Sequence, residues 1–399
     1  MPKVSVLIPA YNVEPYIEEC LDSVLNQTLQ DFEIVCVDDC STDGTLDILR
    51  RYEAEDDRIK VYIHEENKGQ SSGRNDALDR SHGDYVYILD ADDRIVPEAL
   101  ETLCGECSEG NLDIIGFETE NFAEDETFQK NAAIKTITYE DTEVMNGRRA
   151  LTFCMETESF SLSTPTFMMR RQYLVEKGIR FTEGILHEDV GYIFELITRA
   201  ERAKFLHKVL FQRRIRANST MTKGFTDKNI EGYLRSFYRS FDLEPLLSPY
   251  FETEPGFKEA FGKWQREVFG RLNQLYETNA EAIEKMPGGT VSEEMRRAFK
   301  MVKLQHFRSE VPDIRECYLC GTGQYTERAI SAVGAKDIII RGIITLNKDK
   351  AAFRGFPLVD ASEADRDVPV ILSVSRYYAE EYKAALRANG ITDITEMKF

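Results

Sequence analysis

The 399-residue chain carries 50 Lys and Arg against 70 Asp and Glu, a formal charge of −20, with 42% hydrophobic and 30% charged residues. That length holds two or three domains with cores of their own, and so acidic a surface repels nucleic acid at long range, which excludes a nucleic-acid partner. No run approaches the roughly 18–20 apolar residues that span a bilayer; the start of the chain lacks a signal-peptide pattern, so cytoplasmic residence is expected, with peripheral contact at the inner face of the membrane left open.

Residues 1 to 110 alternate short β-type runs with helical ones. Strands are expected over Val4–Ile8, Phe32–Val37, Ile59–Ile63 and Tyr85–Leu89, and helices over Pro15–Leu25, Gly44–Tyr52, Ser72–Leu78 and Pro97–Cys104. Such alternation predicts a parallel, doubly wound α/β sheet. Ser41, Thr42 and Asp43 suit the cap of the second helix, and Pro97 suits a first helical turn. From 111 to 223 the pattern mixes strands (Leu112–Phe117, Phe205–Phe211) with helices (Asn146–Met155, Asp189–Ala200), an α+β completion of the same domain.

The stretch 224–311 reads as a helical middle segment. Tyr233, Phe237, Tyr238 and Phe241, then Phe261, Trp264, Val268, Phe269 and Leu272, recur at three- and four-residue steps, interrupted by Pro287-Gly288-Gly289. Such a stripe is expected to be helix–helix core, with an acceptor groove or a homo-oligomer contact as alternatives. Residues 312–399 read as a small Rossmann-like α/β domain: Cys317–Leu319, Gly321-Thr322-Gly323, a helix through Val333, strands Ile338–Ile340 and Val370–Leu372, and a helix over Ala379–Ala388. The eight cysteines include Cys104/Cys107 and Cys317/Cys320, both C-x-x-C. The pairs are far apart without His-rich neighbours, so reduced, buried thiols are expected.

The chemistry sits where strands should end. Pro9-Ala10-Tyr11-Asn12, Val37-Asp38-Asp39-Cys40-Ser41-Thr42-Asp43-Gly44 and Leu89-Asp90-Ala91-Asp92-Asp93 each follow an apolar run. A carboxylate beyond a buried parallel strand needs water, a metal or a ligand. Three such ends on one sheet edge fit a partner with hydroxyls, a base and a divalent cation, best met by a metal-bound sugar nucleotide. Asp90 and Asp92 flank one small residue, so one can hold Mg²⁺ or Mn²⁺ while the other meets a hydroxyl. Asp38 and Asp39 add anions at a helix start, which favours a donor-bearing base over phosphate there. Tyr11 offers an aromatic plane beside Asn12. Asn67 to Asn75 places Gly69 and other small residues at a helix start with Arg74 one turn in.

The order P-A-Y-N, V-D-D-x-S-T-D-G-T, N-x-G-x-S-x-x-R-N and L-D-A-D-D resembles the family-2 glycosyltransferases, over about residues 1 to 220. The resemblance implies an A-type glycosyltransferase fold, a nucleotide-diphospho-sugar transferase domain at 1–223. It implies that Tyr11 and Asp39 hold the uracil of a UDP-sugar, with Asp38 supporting and Arg74 ordering the nucleotide site. Asp90 then faces the ribose or sugar and Asp92 ligates Mn²⁺ or Mg²⁺. Pro9, Asn12, Gly69, Ala91 and Arg216 complete the donor-nucleotide site. His187-Glu188-Asp189-Val190 resembles the family's second acidic motif, with Asp189 as the base and Glu188 as its alternate. Arg213, Arg214, Arg216, Asn218 and Ser219 are similar to its basic stretch, suited to a departing diphosphate. Cys40 stands where relatives usually carry Gly, which puts the turn geometry in question. Gly73 stands for a commoner Ala, a change expected to be neutral.

The implied function is inverting transfer of a hexose or N-acetylhexosamine from a UDP-sugar to a hydroxyl-bearing glycan or lipid-linked acceptor, in cell-surface glycan synthesis. The alternative is a catalytically inactive sugar-nucleotide-binding or scaffold subunit. The carboxy-terminal Gly321-x-Gly323-x-x-Thr326 lacks the third Gly of a dinucleotide fingerprint, and Arg341 follows the expected strand in place of a ribose-binding acid. A structural or docking role is the expectation there.

Overall fold

The computed structural model describes residues 1–123, 137–216, 227–279, 314–321, 338–345, 352–374 and 376–396, together with Thr326, Ala329 and Ile330. It divides into two compact units, Met1–Lys285 and Met286–Phe399.

The first unit opens with β1 (Val4–Ala10), α1 (Ile17–Leu25), β2 (Phe32–Asp38), α2 (Thr45–Glu55), β3 (Ile59–Ile63), α3 (Gln70–Arg80) and β4 (Tyr85–Ile88). Every residue of β1 is buried, so helices cover both faces of the sheet. Val4, Val6, Leu7 and Ile8 are wholly withdrawn from water, each a burial of roughly 1.5–3 kcal/mol. On α1, Ile17, Cys20, Leu21 and Val24 recur at helical spacing and form its buried stripe. Two short starts differ from the sequence expectation. Gly44, not Ser41 to Asp43, occupies the cap position of α2, although the Asp43 carboxylate accepts from Thr45 N–H at 3.1 Å. Pro97 lies ahead of its helix, α4 (Ala99–Gly110), which begins two residues later.

The unit continues with β5 (Arg94–Ile95), β6 (Ile114–Ala123), α5 (Gly147–Glu156), β7 (Phe167–Arg170), α6 (Arg171–Lys177), α7 (Glu188–Thr198) and β8 (Ala203–Ile215). The sheet runs β3-β2-β1-β4-β7-β6-β8-β5. Strand β1 pairs in parallel with β2 on one side and β4 on the other, in register Ala10 with Asp38 and Leu7 with Ile88. The order therefore reverses at β1, and the carboxyl ends of β1, β2 and β4 share one edge, where open α/β sheets leave a crevice. Strand β7 pairs antiparallel to β4 and β6. It and β5 were not legible as strands, being short and without alternation.

Two long helices, α8 (Asp227–Leu247) and α9 (Phe257–Thr278), complete this unit. Phe237, Trp264 and Leu272 are buried, and Trp264 stacks on Phe194 of α7 with ring centroids 3.9 Å apart. The aromatic stripe is core. The Pro287-Gly288-Gly289 break lies outside the described residues.

The second unit holds β9 (Glu316–Cys320), β10 (Ile339–Ile344), β11 (Ala352–Phe353), β12 (Phe356–Val359), β13 (Val370–Leu372), α10 (Arg376–Ala388) and β14 (Ile394–Glu396), with sheet order β11-β12-β10-β9-β13-β14. Except for β11 its pairings are parallel. Alternate residues of β9 feed opposite faces: Cys317 and Leu319 join one core, Tyr318 and Cys320 the other. Arg341 lies inside β10, paired with Glu316 at 2.5 Å, because the strand runs on to Ile344. Gly323 and most of the helix expected through Val333 lie outside the described residues. All eight cysteines are free, and burial pushes the Cys317 and Cys320 thiols up to about 12.

Among the described residues, no helix is long and apolar enough to cross a membrane.

Candidate active site

At the ends of β1 and β2, Tyr11 is 47% exposed while Asp38 and Asp39 are buried. Asp39 N–H donates to Ala10 O at 2.8 Å, so Tyr11 and Asp39 leave the sheet side by side. Asn12 acts as a brace for the next turn: its N–H donates to Ser41 Oγ and its Oδ1 accepts from Thr42 N–H at 2.8 Å. Cys40 takes φ 63°, the left-handed backbone that glycine adopts most easily. Asp38 Oδ2 accepts from Ser41 N–H, whereas its buried Oδ1 has no hydrogen-bond partner among the described residues. A buried carboxylate oxygen left in that state has room for a further donor.

Asp39 is tied to the start of α3. Its Oδ2 accepts from Gly69 N–H at 2.7 Å, and its Oδ1 from Lys68 N–H at 2.8 Å and from the ring of His64 at 2.7 Å. The next residue, Gln70, donates its side-chain amide to Asp90 Oδ1 at 2.9 Å. The amino end of α3 thus spans from the end of β2 to the end of β4. Gly69 makes the entry with φ 87°. One turn on, Gly73 brings the helix against Pro9, whose Cβ would lie 3.1 Å from an added Cβ.

Arg74 is the hub. Its guanidinium is 1% exposed, lies over the Phe181 ring, and donates to Asp90 at 2.8 Å, Glu188 at 2.8 Å and Asp189 at 3.0 Å. Desolvation disfavours its charge, but Asp189, Asp90 and Glu188 outweigh that and hold it protonated more firmly than usual. Asp189 also accepts from the Thr164 hydroxyl. Three carboxylates around one cation in a water-poor place do not all stay ionised readily. Burial first, then Asp189, raises Glu188 to about 7 against the pull of Arg74. Asp189 keeps 23% of its side-chain surface open. Desolvation still lifts its carboxyl above the ordinary range, opposed by Arg74 and Thr164.

These acids open α7, with His187 just before them at φ 59°. His187 packs at a tilt against Tyr233 of α8, ring centroids 4.7 Å apart, and meets Asn229 at 3.0 Å. A Cβ on Gly232 would fall 1.6 Å from Leu186 O, so the absence of a side chain there lets α8 seat directly under the acidic pair.

Beyond Asp90, Ala91 is buried and Asp92 Oδ2 accepts from Arg216 Nε at 2.7 Å. Arg216 lies over the Tyr16 ring. Asp93 is buried; desolvation, then Asp92 and Asp90, raises its carboxyl well above the usual range, and Arg214 N–H donates to it at 2.7 Å. Arg214 packs against Phe122 and Tyr16 and pairs with Glu19. Asn218 and Ser219 lie outside the described residues. Asp90 Oδ2 and Asp92 Oδ1 accept no hydrogen bond among the described residues, and the two side chains are 26% and 21% exposed.

The predicted residues therefore gather along one edge: Tyr11, Asp38 and Asp39 at one end, Asp90 and Asp92 at the other, α3 between them, and Glu188 and Asp189 joined through Arg74. Four participants carried no sequence signal that singled them out. His64 directly follows β3, as Asp39 follows β2; Gln70 fills an unspecified position of the N-x-G-x-S-x-x-R-N run, and Thr164 and Phe181 belong to no recognisable pattern.

The family model for glycosyl transferase family 2 matches residues 5–178. Glycosyltransferase GlyG of Streptococcus pneumoniae serotype 4 is 30% identical over 227 residues, 56% of this chain and 74% of GlyG. The chain belongs to glycosyl transferase family 2. Another relative, the uncharacterized glycosyltransferase EpsJ of Bacillus subtilis strain 168, is 33% identical over 228 residues; the match takes in 55% of this chain and 63% of EpsJ, less than two thirds of its length. The fold is shared with S. aureus TarS 1–349, solved in complex with UDP-GlcNAc, at a TM-score of 0.58 and 22% identity over 84% of this chain and 88% of that one. The family-2 motifs coincide with the crevice edge: all the strand-end acids and Arg74 lie inside the matched residues, and the Glu188-Asp189 pair follows them.

Proposed function

We propose that this family-2 chain is an inverting glycosyltransferase that moves a hexose or N-acetylhexosamine from a UDP-sugar to a hydroxyl of a glycan or lipid-linked acceptor. The observation that carries the reading is the Arg74 hub, in which one guanidinium binds Asp90 of the donor-side run and Asp189 of the acid pair. Donor and base groups then belong to one site. In the reaction the acceptor oxygen attacks the anomeric carbon as the bond from that carbon to the diphosphate oxygen breaks. The electron pair leaves with UDP, and the acceptor proton passes to Asp189. A single displacement of this kind inverts the anomeric centre.

Tyr11 stacking on the base, Asp39 accepting its N–H, and the unpartnered Asp38 Oδ1 meeting a further donor are consistent with a nucleoside at the β1–β2 end. UDP-GlcNAc in the fold relative TarS is in keeping with a UDP-sugar donor. Arg216 and Arg214 supply positive charge for the departing diphosphate. The residues also fit a hard divalent cation, Mn²⁺ or Mg²⁺: Asp92, with Asp90, offers oxygen atoms without protein donors at a partly open edge. Among the described residues no cluster of three or more His, Cys, Asp or Glu could cage a metal by itself, and Mg²⁺-type sites take one or two carboxylates plus substrate phosphates. When bound, such an ion would offset diphosphate charge. A destination in cell-surface glycans rests on the family resemblance.

The test is a UDP-sugar hydrolysis screen with Mn²⁺ and with Mg²⁺, run on the full chain and on Asp92→Ala and Asp189→Ala. Metal-dependent hydrolysis lost in both variants supports the proposal. Unchanged turnover in either variant removes the mechanism. Metal-dependent UDP binding without hydrolysis or transfer across a broad acceptor panel returns the reading to a non-catalytic sugar-nucleotide-binding subunit.

A further inference from the structure

His64 follows directly on β3 and is 5% exposed. Its backbone N–H donates to Asp38 O at 2.9 Å, continuing the β2–β3 ladder by one residue. Its two ring nitrogens each meet a carboxylate: Nδ1 stands 2.7 Å from Asp39 Oδ1, and Nε2 stands 2.9 Å from Asp76 Oδ2. A neutral imidazole has one N–H, so it donates to one carboxylate and sets a lone pair against the other. The doubly protonated ring donates to both. The other charged or donating groups around this chain of contacts are the Lys68 and Gly69 N–H groups on Asp39, and Arg80, whose guanidinium lies 3.7 Å from Asp76.

Asp76 lies two residues beyond Arg74 on α3, so the ring links the end of β2 to the helix that carries the hub. Asp39 accepts three protein hydrogen bonds. A carboxylate has about four acceptor positions, which leaves one for a ligand N–H. Among the described residues the His64 ring is the one side chain that bonds the Asp39 carboxylate, the other two donors being backbone N–H groups, so the ring fixes its orientation from the β3 side.

We propose that His64 is a positioning residue for the donor: its ring, in contact with a carboxylate at each nitrogen, clamps Asp39 to Asp76, holds the Asp39 carboxylate aimed at the nucleotide base, and seats α3 against the end of β2. This rests on the reading of Asp39 as a nucleotide ligand. The clamp is independent of acceptor chemistry, so its loss weakens donor binding and leaves the displacement step intact once donor is bound.

The experiment uses the full chain with UDP and Mn²⁺. Calorimetry on wild type and His64→Gln measures UDP affinity; steady-state transfer or hydrolysis separates KM from kcat. The same measurements on Asp76→Ala remove the far anchor of the ring and leave His64 and Asp39 in place. The expected result is UDP affinity down about tenfold or more in His64→Gln, with the loss in KM and little in kcat. Asp76→Ala is expected to lower UDP affinity in the same direction by a smaller factor. Equal UDP affinity in wild type and His64→Gln, or a loss that falls in kcat and not in KM, overturns the inference. If wild type binds no UDP, the donor-site reading itself fails and the inference with it, whereas equal affinity in the variant overturns the clamp alone. If His64→Gln does not fold, Asp76→Ala decides: wild-type UDP affinity there overturns the inference.

Discussion

The Arg74 guanidinium stands 3.0 Å from the Asp189 carboxylate, across 115 residues of chain. The pair joins the helix that follows β3 to the acidic pair that opens α7, and the same guanidinium reaches Asp90. Its replacement by Ala leaves three carboxylates without their cation. Removing one partner of a buried ion pair costs about 3–5 kcal/mol, so Arg74→Ala is expected to lower the thermal midpoint by several degrees or more and to abolish transfer. Arg74→Lys keeps the charge without the planar fork and is expected to fall between the two. Thermal denaturation of the three proteins checks the order.

Asp189→Asn removes the group read as the base and keeps its size. The expected loss is about 10²- to 10⁴-fold in kcat, with UDP affinity nearly unchanged. A variant that transfers sugar at the wild-type rate would rule Asp189 out as base.

Glu188 supplies a pH test. Burial and Asp189 raise its carboxyl to about 7, above the roughly 4.3 of an unfolded Glu. The folded state therefore binds the extra proton between those values. The stabilisation is complete below the unfolded value and is lost as pH rises through about 7. Glu188→Gln, neutral at every pH, is expected to show a flatter stability curve between pH 5 and 8. Chemical denaturation at several pH values measures the difference. Asp189 is also shifted upward, so activity is expected to decline on the acid side sooner than an ordinary Asp would require.

Cys40 holds a left-handed backbone, which costs a non-glycine residue about 1–2 kcal/mol. Glycine there returns about 0.4–1 kcal/mol through the greater freedom of the unfolded chain. Cys40→Gly is therefore expected to stabilise the protein by about 0.5–1 kcal/mol, read as a small rise in the denaturation midpoint with UDP binding retained.

Trp264 tests whether α9 serves the site. It is buried against Phe194 of α7, and Trp→Ala in a core costs about 3–5 kcal/mol. Trp264→Ala is expected to lower stability by that order and to reduce transfer, since α7 carries Glu188 and Asp189. Trp264→Phe, which also removes an indole N–H without a partner among the described residues, is expected to be far milder. Circular dichroism melts and activity at a permissive temperature separate the two effects.

What could be read from the sequence was local. The β1 to β4 ladder follows from apolar runs of strand length broken by turn residues, and the acids that end those runs stand where the register of β1 with β2 and β4 later sets them on one edge. In the first unit helix starts moved by a residue or two, because caps such as Gly44 and Asp43 share the work between neighbours, while α2 runs on past Tyr52 to Glu55 and α4 past Cys104 to Gly110. Short strands without alternation, Phe167–Arg170 above all, left no pattern to read.

The sequence by itself determined the strand-and-helix order of the amino-terminal part and the residue types at each strand end, since periodicity and turn chemistry act over a few residues. Only the tertiary structure decided that Arg74 meets Asp189, that His64 stands between Asp39 and Asp76, and that the aromatic helices pack under the acidic pair. Those contacts join side chains 12 to 115 residues apart. Which ones form depends on how the chain crosses the sheet and on which charges must be neutralised once water is excluded, and neither is written in any short stretch of residues.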